Sequence, residues 1–106
     1  MEIILADSNF EEEVKKSNIP VMVDFYADWC GPCKMMAPLV AQLSEEYCGK
    51  CKIAKCNVTD YPGLASEYKI MSIPAFLFFK EGKVVDSVVG AVSKNELADR
   101  IKQVLA

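Results

Sequence analysis

The sequence contains no histidine among its 106 residues. That absence removes Cys–His and Ser–His nucleophilic systems and every zinc site that needs imidazole. It also has no basic run: 12 Lys and Arg against 15 Asp and Glu leave a formal net charge of −3. A mildly acidic chain carries no electrostatic footprint for nucleic acid or for an anionic lipid surface. No stretch approaches the roughly 20 apolar residues that a membrane-spanning helix needs. The first residues, Met1-Glu2-Ile3-Ile4-Leu5-Ala6-Asp7, have no basic region and only a short apolar run that Asp7 interrupts, so no secretory signal is expected. A glycine-rich nucleotide loop is missing too, so no bound cofactor is expected. These absences together point to a cytoplasmic protein.

What is present fits one domain over residues 1–106, with 52% apolar and 25% charged residues. Five cysteines stand at positions 30, 33, 48, 51 and 56. An odd number in a reducing compartment argues against a structural disulfide framework.

Hydrophobic periodicity divides the chain into alternating elements. Ile3 to Ala6 reads as a short strand. Ser8 and Glu11 fit a capping box that opens a helix to about Lys16, with Phe10 and Val14 inward. Its charged residues, Glu11, Glu12, Glu13, Lys15 and Lys16, read as solvated surface. Pro20 to Ala27 is apolar on both faces, as a central strand is, apart from Asp24. A helix is expected from about Cys33 to Tyr47, with Met36, Leu39, Val40, Leu43 and Tyr47 on one face and Met35 and Met36 in ordinary packing roles. Pro32 suits its first turn, Pro38 is expected to kink it, and Gly49 suits its C-terminal cap.

Cys51 to Val58 reads as a second central strand, and Pro62 to Lys69 as a short helix. Ala75 to Lys80 and Lys83 to Val89 flank Glu81-Gly82 as a hairpin. Ser93 with Glu96 forms a second capping box, opening a last helix with Leu97, Ile101, Val104 and Leu105 on one face. The order βαβαβαββα implies an α/β fold: a mixed central sheet with parallel crossovers, an antiparallel edge and helices on both faces.

Cys30 and Cys33 lie across a strand-to-helix junction. Two cysteines at i and i+3 can close a small disulfide ring or exchange with a disulfide on another protein. The attacking species is a thiolate. At the start of a helix, unpaired N–H groups and the positive end of the dipole stabilise that anion at Cys30. Cys33, one turn further, is expected to be the more buried and to act as the resolving thiol. Asp24, a carboxylate in an apolar strand, should have a raised pKa, which suits a proton shuttle near neutrality.

The segment Val23-Asp24-Phe25-Tyr26-Ala27-Asp28-Trp29-Cys30-Gly31-Pro32-Cys33-Lys34 resembles the active-site segment of bacterial thioredoxins. Ala37-Pro38, Lys55, Ile73-Pro74 and Val89-Gly90-Ala91 match in the same order, so the resemblance spans essentially the whole chain. It implies the thioredoxin fold and a thiol–disulfide oxidoreductase acting as a general protein-disulfide reductase, with Cys30–Cys33 as the redox-active disulfide. It further implies that Cys30 is the nucleophile, Cys33 the resolving thiol, Asp24 the proton relay and Lys55 the residue tuning it. Pro74 would follow a cis peptide bond. Trp29, Gly31, Pro32, Ile73, Pro74, Val89, Gly90 and Ala91 would form a shallow apolar surface for a client's extended segment. The implied partners are disulfide-containing clients and a thioredoxin reductase, either NADPH- and flavin-dependent or ferredoxin-linked, acting on a monomer.

Tyr26 stands where these proteins frequently carry a second tryptophan, and Ser72 and Ala75 stand where glycine and threonine are frequent. These departures bear on partner preference. Gly31-Pro32 between the cysteines, with no histidine, favours a reductant over an oxidase or isomerase of the same fold. A binding module using the same surface without turnover is a different class.

Cys48 and Cys51 repeat the Cys-x-x-Cys spacing, and with Cys30 and Cys33 they approach a zinc-ribbon pattern. The intervening helix would hold its ends roughly 20 Å apart at 1.5 Å per residue, whereas thiolates on one zinc each lie about 2.3 Å from it. No metal is therefore expected. Cys48 and Cys51 read as two free thiols after a helix's end, where the dipole disfavours an anion, with a second, regulatory or auxiliary dithiol pair as the alternative. Cys56, in a central strand, reads as a small buried apolar residue.

Overall fold

The computed structural model describes residues 1–106. Five strands form one sheet in the order β1-β3-β2-β4-β5: β1 Ile3–Ile4, β2 Val21–Tyr26, β3 Lys52–Asn57, β4 Ala75–Lys80 and β5 Lys83–Val89. β3 runs parallel to both β1 and β2, while β4 is antiparallel to β2 and β5. Three α-helices follow the expected order: α1 Gly31–Glu46, α2 Pro62–Glu67 and α3 Lys94–Leu105.

The sheet separates two apolar layers, because alternate side chains of a strand point to opposite faces. On one face Met22, Ile53, Phe76 and Phe78 pack with Met36, Val40 and Leu43 of α1 and Leu97, Ile101 and Val104 of α3. On the other, Val21, Val23, Phe25, Ala54, Cys56, Leu77 and Phe79 pack with Phe10, Val14 and Leu64. Covering both faces explains the apolar runs of β4 and of β2, the latter interrupted only by Asp24. Each of the fully buried Phe25, Phe76, Phe78 and Phe79 contributes roughly 1.5–3 kcal/mol by leaving water. Ring contacts from Phe10 to Tyr68 at 5.5 Å and from Tyr68 to Phe79 at 5.3 Å tie the second layer together.

Local expectations at the first helix, β1 and α3 are corrected. The first helix is a short π-type segment, Glu11–Lys15, and no side chain caps it. Ser8 does not serve; Asn9 accepts from the Ala6 amide at 2.7 Å and organises the turn before it. β1 ends at Ile4, although the Leu5 amide still donates to the Lys55 carbonyl at 2.8 Å. In α3, Ser93 Oγ accepts from the Glu96 amide at 3.1 Å, but the reciprocal half of the capping box is absent. Glu96 pairs instead with Arg100, which also forks onto both Asp86 oxygens at 2.9 and 3.0 Å. Leu105 is exposed, while Leu97, Ile101 and Val104 of the same helix are buried. α1 continues through Pro38 as a single helix.

The hairpin turn between β4 and β5 packs closely on the π-type segment. Glu81 and Gly82 both have positive φ, 54° and 80°, as a two-residue type I′ turn requires. A Cβ on Gly82 would lie 2.7 Å from the Lys15 carbonyl oxygen, whereas one on Gly49, whose φ is 82°, would meet nothing within 4 Å. Gly49→Ala is therefore expected to cost about 1 kcal/mol, for backbone strain alone, and Gly82→Ala ~2–3 kcal/mol. Urea denaturation of both variants checks this; equal losses would contradict the close approach at Gly82.

Candidate active site

β2 leads directly into α1, and the junction holds Cys30. Its extended backbone, φ −90° and ψ 108°, makes it the N-cap of α1, with Gly31 and Pro32 in the first turn. Proline is tolerated there because the first-turn amides lack helical partners anyway. The side chain of an N-cap residue ordinarily accepts from these amides. Here the acceptor is sulfur: the Cys33 amide donates to Cys30 Sγ at 3.2 Å. Cys30 and Cys33 form a disulfide with their Cα atoms 5.3 Å apart. Once the bond is reduced, the same amide and the dipole of a 16-residue helix face a Cys30 thiolate.

The expected contrast in burial is not found. Cys30 is 4% exposed and Cys33 6%, because Ala27, Tyr26, Val58 and Ile73 pack around both. Cys30 Sγ lies 4.0 Å from the Ile73 carbonyl oxygen. The two sulfurs differ in their place on the helix end rather than in exposure.

Asp24 sits in the middle of β2, in register with Lys55 of β3 and Phe76 of β4. It is 3% exposed, and its Oδ1 is buried with no hydrogen-bond partner. Desolvation pushes its pKa up from 3.8 to about 7; Lys55 pulls the other way and Glu2 adds to the rise. Lys55 makes no salt bridge with Asp24. Its ammonium lies over the Tyr26 ring, 4.5 Å from the centroid. A pocket of about 280 Å³ is lined by Tyr26, Cys33, Lys34 and Lys55, among others, and so joins the second cysteine to the lysine beside Asp24.

The remaining expected residues assemble around Cys30, with one correction. Trp29 is 71% exposed and its indole N–H donates to Thr59 Oγ1 at 3.2 Å. Gly31, Pro32, Val89 and Ala91 are exposed, while Ile73 and Gly90 are half-buried. Pro74, which follows a cis peptide bond, is buried rather than part of the surface; its carbonyl accepts from the Gly90 amide at 2.8 Å and ties the two loops together. Trp29 and Ile73 share a mostly apolar pocket of about 150 Å³ with Met71, which is 93% exposed.

Sequence reasoning passed over two contributors. Tyr26 holds Lys55, and its signal was its position two residues beyond Asp24 on the same strand face. Thr59 orients Trp29, and nothing local marks it.

The other cysteines are free thiols: Cys48 exposed, Cys51 and Cys56 buried. Burial pushes the pKa of Cys51 and of Cys56 up to about 11, which keeps both protonated and unreactive near neutrality. No three Cys, Asp or Glu side chains come together as metal ligands, and no helix is long and apolar enough to cross a membrane.

Burying Asp24 has a cost with a defined pH window. Below about pH 4 the carboxyl is protonated in both folded and unfolded chains, and the cost vanishes. From pH 4 to 7 the folded chain retains a proton that the unfolded chain has released, so stability falls as pH rises; above about 7 the full cost is expressed. Asp24→Asn is therefore expected to be more stable than the natural chain at pH 8, by on the order of 4 kcal/mol, with the advantage fading by pH 4. Chemical denaturation at the two pH values measures it; an advantage independent of pH would contradict the assignment.

Comparison with known proteins agrees with this geometry. The thioredoxin family model matches residues 2–103. A thioredoxin of Pyropia yezoensis is 45% identical over 102 residues, covering 96% of this chain and 95% of the relative. One from Synechocystis is 48% identical over 101 residues, covering 95% and 94%. The chloroplastic M-type thioredoxin of Spinacia oleracea is 49% identical over 100 residues, covering 94% of this chain and 55% of the relative. The sheet order, the helix-capping disulfide and these matches agree: the chain belongs to the thioredoxin family and is a thiol–disulfide oxidoreductase.

Proposed function

We propose that the chain acts as a general protein-disulfide reductase, a monomeric, cytoplasmic, single-domain dithiol carrier over residues 1–106 with no bound cofactor. Disulfide-containing substrates and a reductase are the partners that the family implies. The finer reading assigns the recharging to a flavin-dependent, NADPH-fed or a ferredoxin-linked thioredoxin reductase, with neither nucleic acid nor membrane as a partner.

The observation that carries this reading is the Cys33 amide aimed at Cys30 Sγ at the head of α1. It favours the anion on Cys30 over that on Cys33. The reduced Cys30 thiolate attacks one sulfur of the client disulfide, forms a mixed disulfide and expels the first client thiolate. Cys33 then loses its proton, with Asp24 carboxylate as acceptor, and attacks Cys30 Sγ. The second client thiolate leaves, the Cys30–Cys33 disulfide forms, and the client has gained two electrons. Lys55 stabilises the charged form of Asp24 and thereby sets how readily it takes that proton. Trp29, Gly31, Pro32, Ile73, Val89, Gly90 and Ala91 present the apolar surface on which an extended client segment would lie, with Pro74 holding two of its loops.

The absence of histidine supports the reducing direction, since nothing between the cysteines adds a positive charge to hold the dithiol in its reduced form. Reduction of a disulfide-bonded test protein, driven by dithiothreitol, tests the roles. Cys30→Ser is expected to lose at least about a thousandfold in rate. Cys33→Ser is expected to accumulate a mixed disulfide between Cys30 and the client, visible by intact mass. Wild-type turnover by Cys30→Ser would overturn the mechanism.

A further inference from the structure

Two buried carboxylate oxygens in this protein have no partner: Asp24 Oδ1 and Glu2 Oε2. They belong to the same face of the sheet. Ile4 of β1 is in register with Lys55 of β3, and Lys55 with Asp24 of β2. Glu2 precedes Ile4 by two residues, so strand alternation puts it on the Ile4–Lys55–Asp24 face, beneath α1. Lys55 is thus flanked by a carboxylate from each neighbouring strand, yet it makes no salt bridge with either and rests on the Tyr26 ring. Buried charges at this range are poorly screened.

We propose that Glu2 is a positioning residue for the proton-transfer chemistry: its carboxylate, on the far side of Lys55 from Asp24, offsets the positive field that this lysine imposes on the buried Asp24 carboxyl. The direction of its influence agrees, since Glu2 raises the Asp24 pKa while Lys55 lowers it. The other titratable groups facing the site are the Tyr26 phenol from β2, the Asp28 carboxylate from the turn after it and, from α1, Cys33 and Lys34, all on the wall of the shared pocket. Burial is the largest influence on Asp24 and Lys55 opposes it; a second carboxylate offsets part of the lysine's pull and so adjusts the affinity of the acceptor for a proton. The inference deepens the proton-relay reading of Asp24 and rests on it for its functional meaning.

The test is a carbon-13 NMR titration of the Asp24 carboxyl in the oxidised full chain, compared among the natural sequence, Glu2→Gln and Glu2→Lys. Glu2→Gln keeps the shape and removes the charge, so the Asp24 midpoint is expected to move down by on the order of half a pH unit. Glu2→Lys reverses the charge and should move it about twice as far. Glu2→Asp, which keeps the charge, should return the midpoint towards the natural value. Coincident midpoints in the natural chain, Glu2→Gln and Glu2→Lys, or an upward shift, would overturn the proposal. The pH profile of the resolving step separates the two readings. If the Asp24 midpoint moves and the rate profile follows, both hold; if the midpoint moves and the profile does not, Glu2 still governs Asp24 and the relay reading of Asp24 fails.

Discussion

The contact on which the site depends is an amide donating to a sulfur. At the head of α1 the Cys33 N–H reaches Cys30 Sγ, and the first turn of a 16-residue helix has no other acceptor so placed. The rest of the fold holds that helix end still. β2 is buried on both faces and paired on both edges, so it delivers Cys30 to a fixed point. α1 is pinned to the sheet by Met36, Val40 and Leu43. The loop carrying Ile73 and Pro74 is fastened to Gly90 and brings a carbonyl beside the sulfur. Neither cysteine owes its character to exposure, because both are almost completely covered. Selectivity between them is electrostatic and lies in the position of each sulfur along the helix axis.

The same burial that fixes the junction makes Asp24 expensive. A sheet covered on both sides has no solvated face on which a carboxylate could rest, and Lys55 gives its ammonium to the Tyr26 ring instead of to Asp24. The group consequently titrates near neutrality, so both its forms are populated at physiological pH. Stability is lost at this position, and the proton affinity that results is the one the proposed relay to Cys33 would use. The contrast with Cys51 and Cys56 is instructive. Desolvation raises the pKa of all three groups. For the carboxyl the rise ends near 7 and creates a usable acid, while for the thiols it ends near 11 and removes a usable nucleophile.

Much of this was legible in the sequence. Element order followed from periodicities of two and 3.6, and the hairpin from a two-residue gap holding Glu81-Gly82. Asp24 stood out because a charge inside an apolar run has few explanations. What was not legible depends on choices between local partners or on distant pairing. Ser8 and Asn9 both suit a turn, and only the packed chain shows that Asn9 takes the Ala6 amide. Glu96 had two suitors, the Ser93 amide and Arg100, and the arginine prevailed because it also binds Asp86. The cover over Cys30 comes from Ile73 and Val58, which are far away in sequence. Glu2 shares a sheet face with Asp24, across Lys55, only through the register of β1 on β3 and of β3 on β2.

The chain carries the Cys-x-x-Cys spacing twice, so the central claim is that placement at a helix N-terminus, and not spacing, creates the reactive thiol. Competitive alkylation of the fully reduced protein at pH 6, read cysteine by cysteine by mass spectrometry, tests it most directly. Cys30 is predicted to react at least ~10-fold faster than the exposed Cys48, despite being far less accessible. Equal rates, or a faster Cys48, would contradict the claim, because exposure would then govern reactivity and the helix end would not.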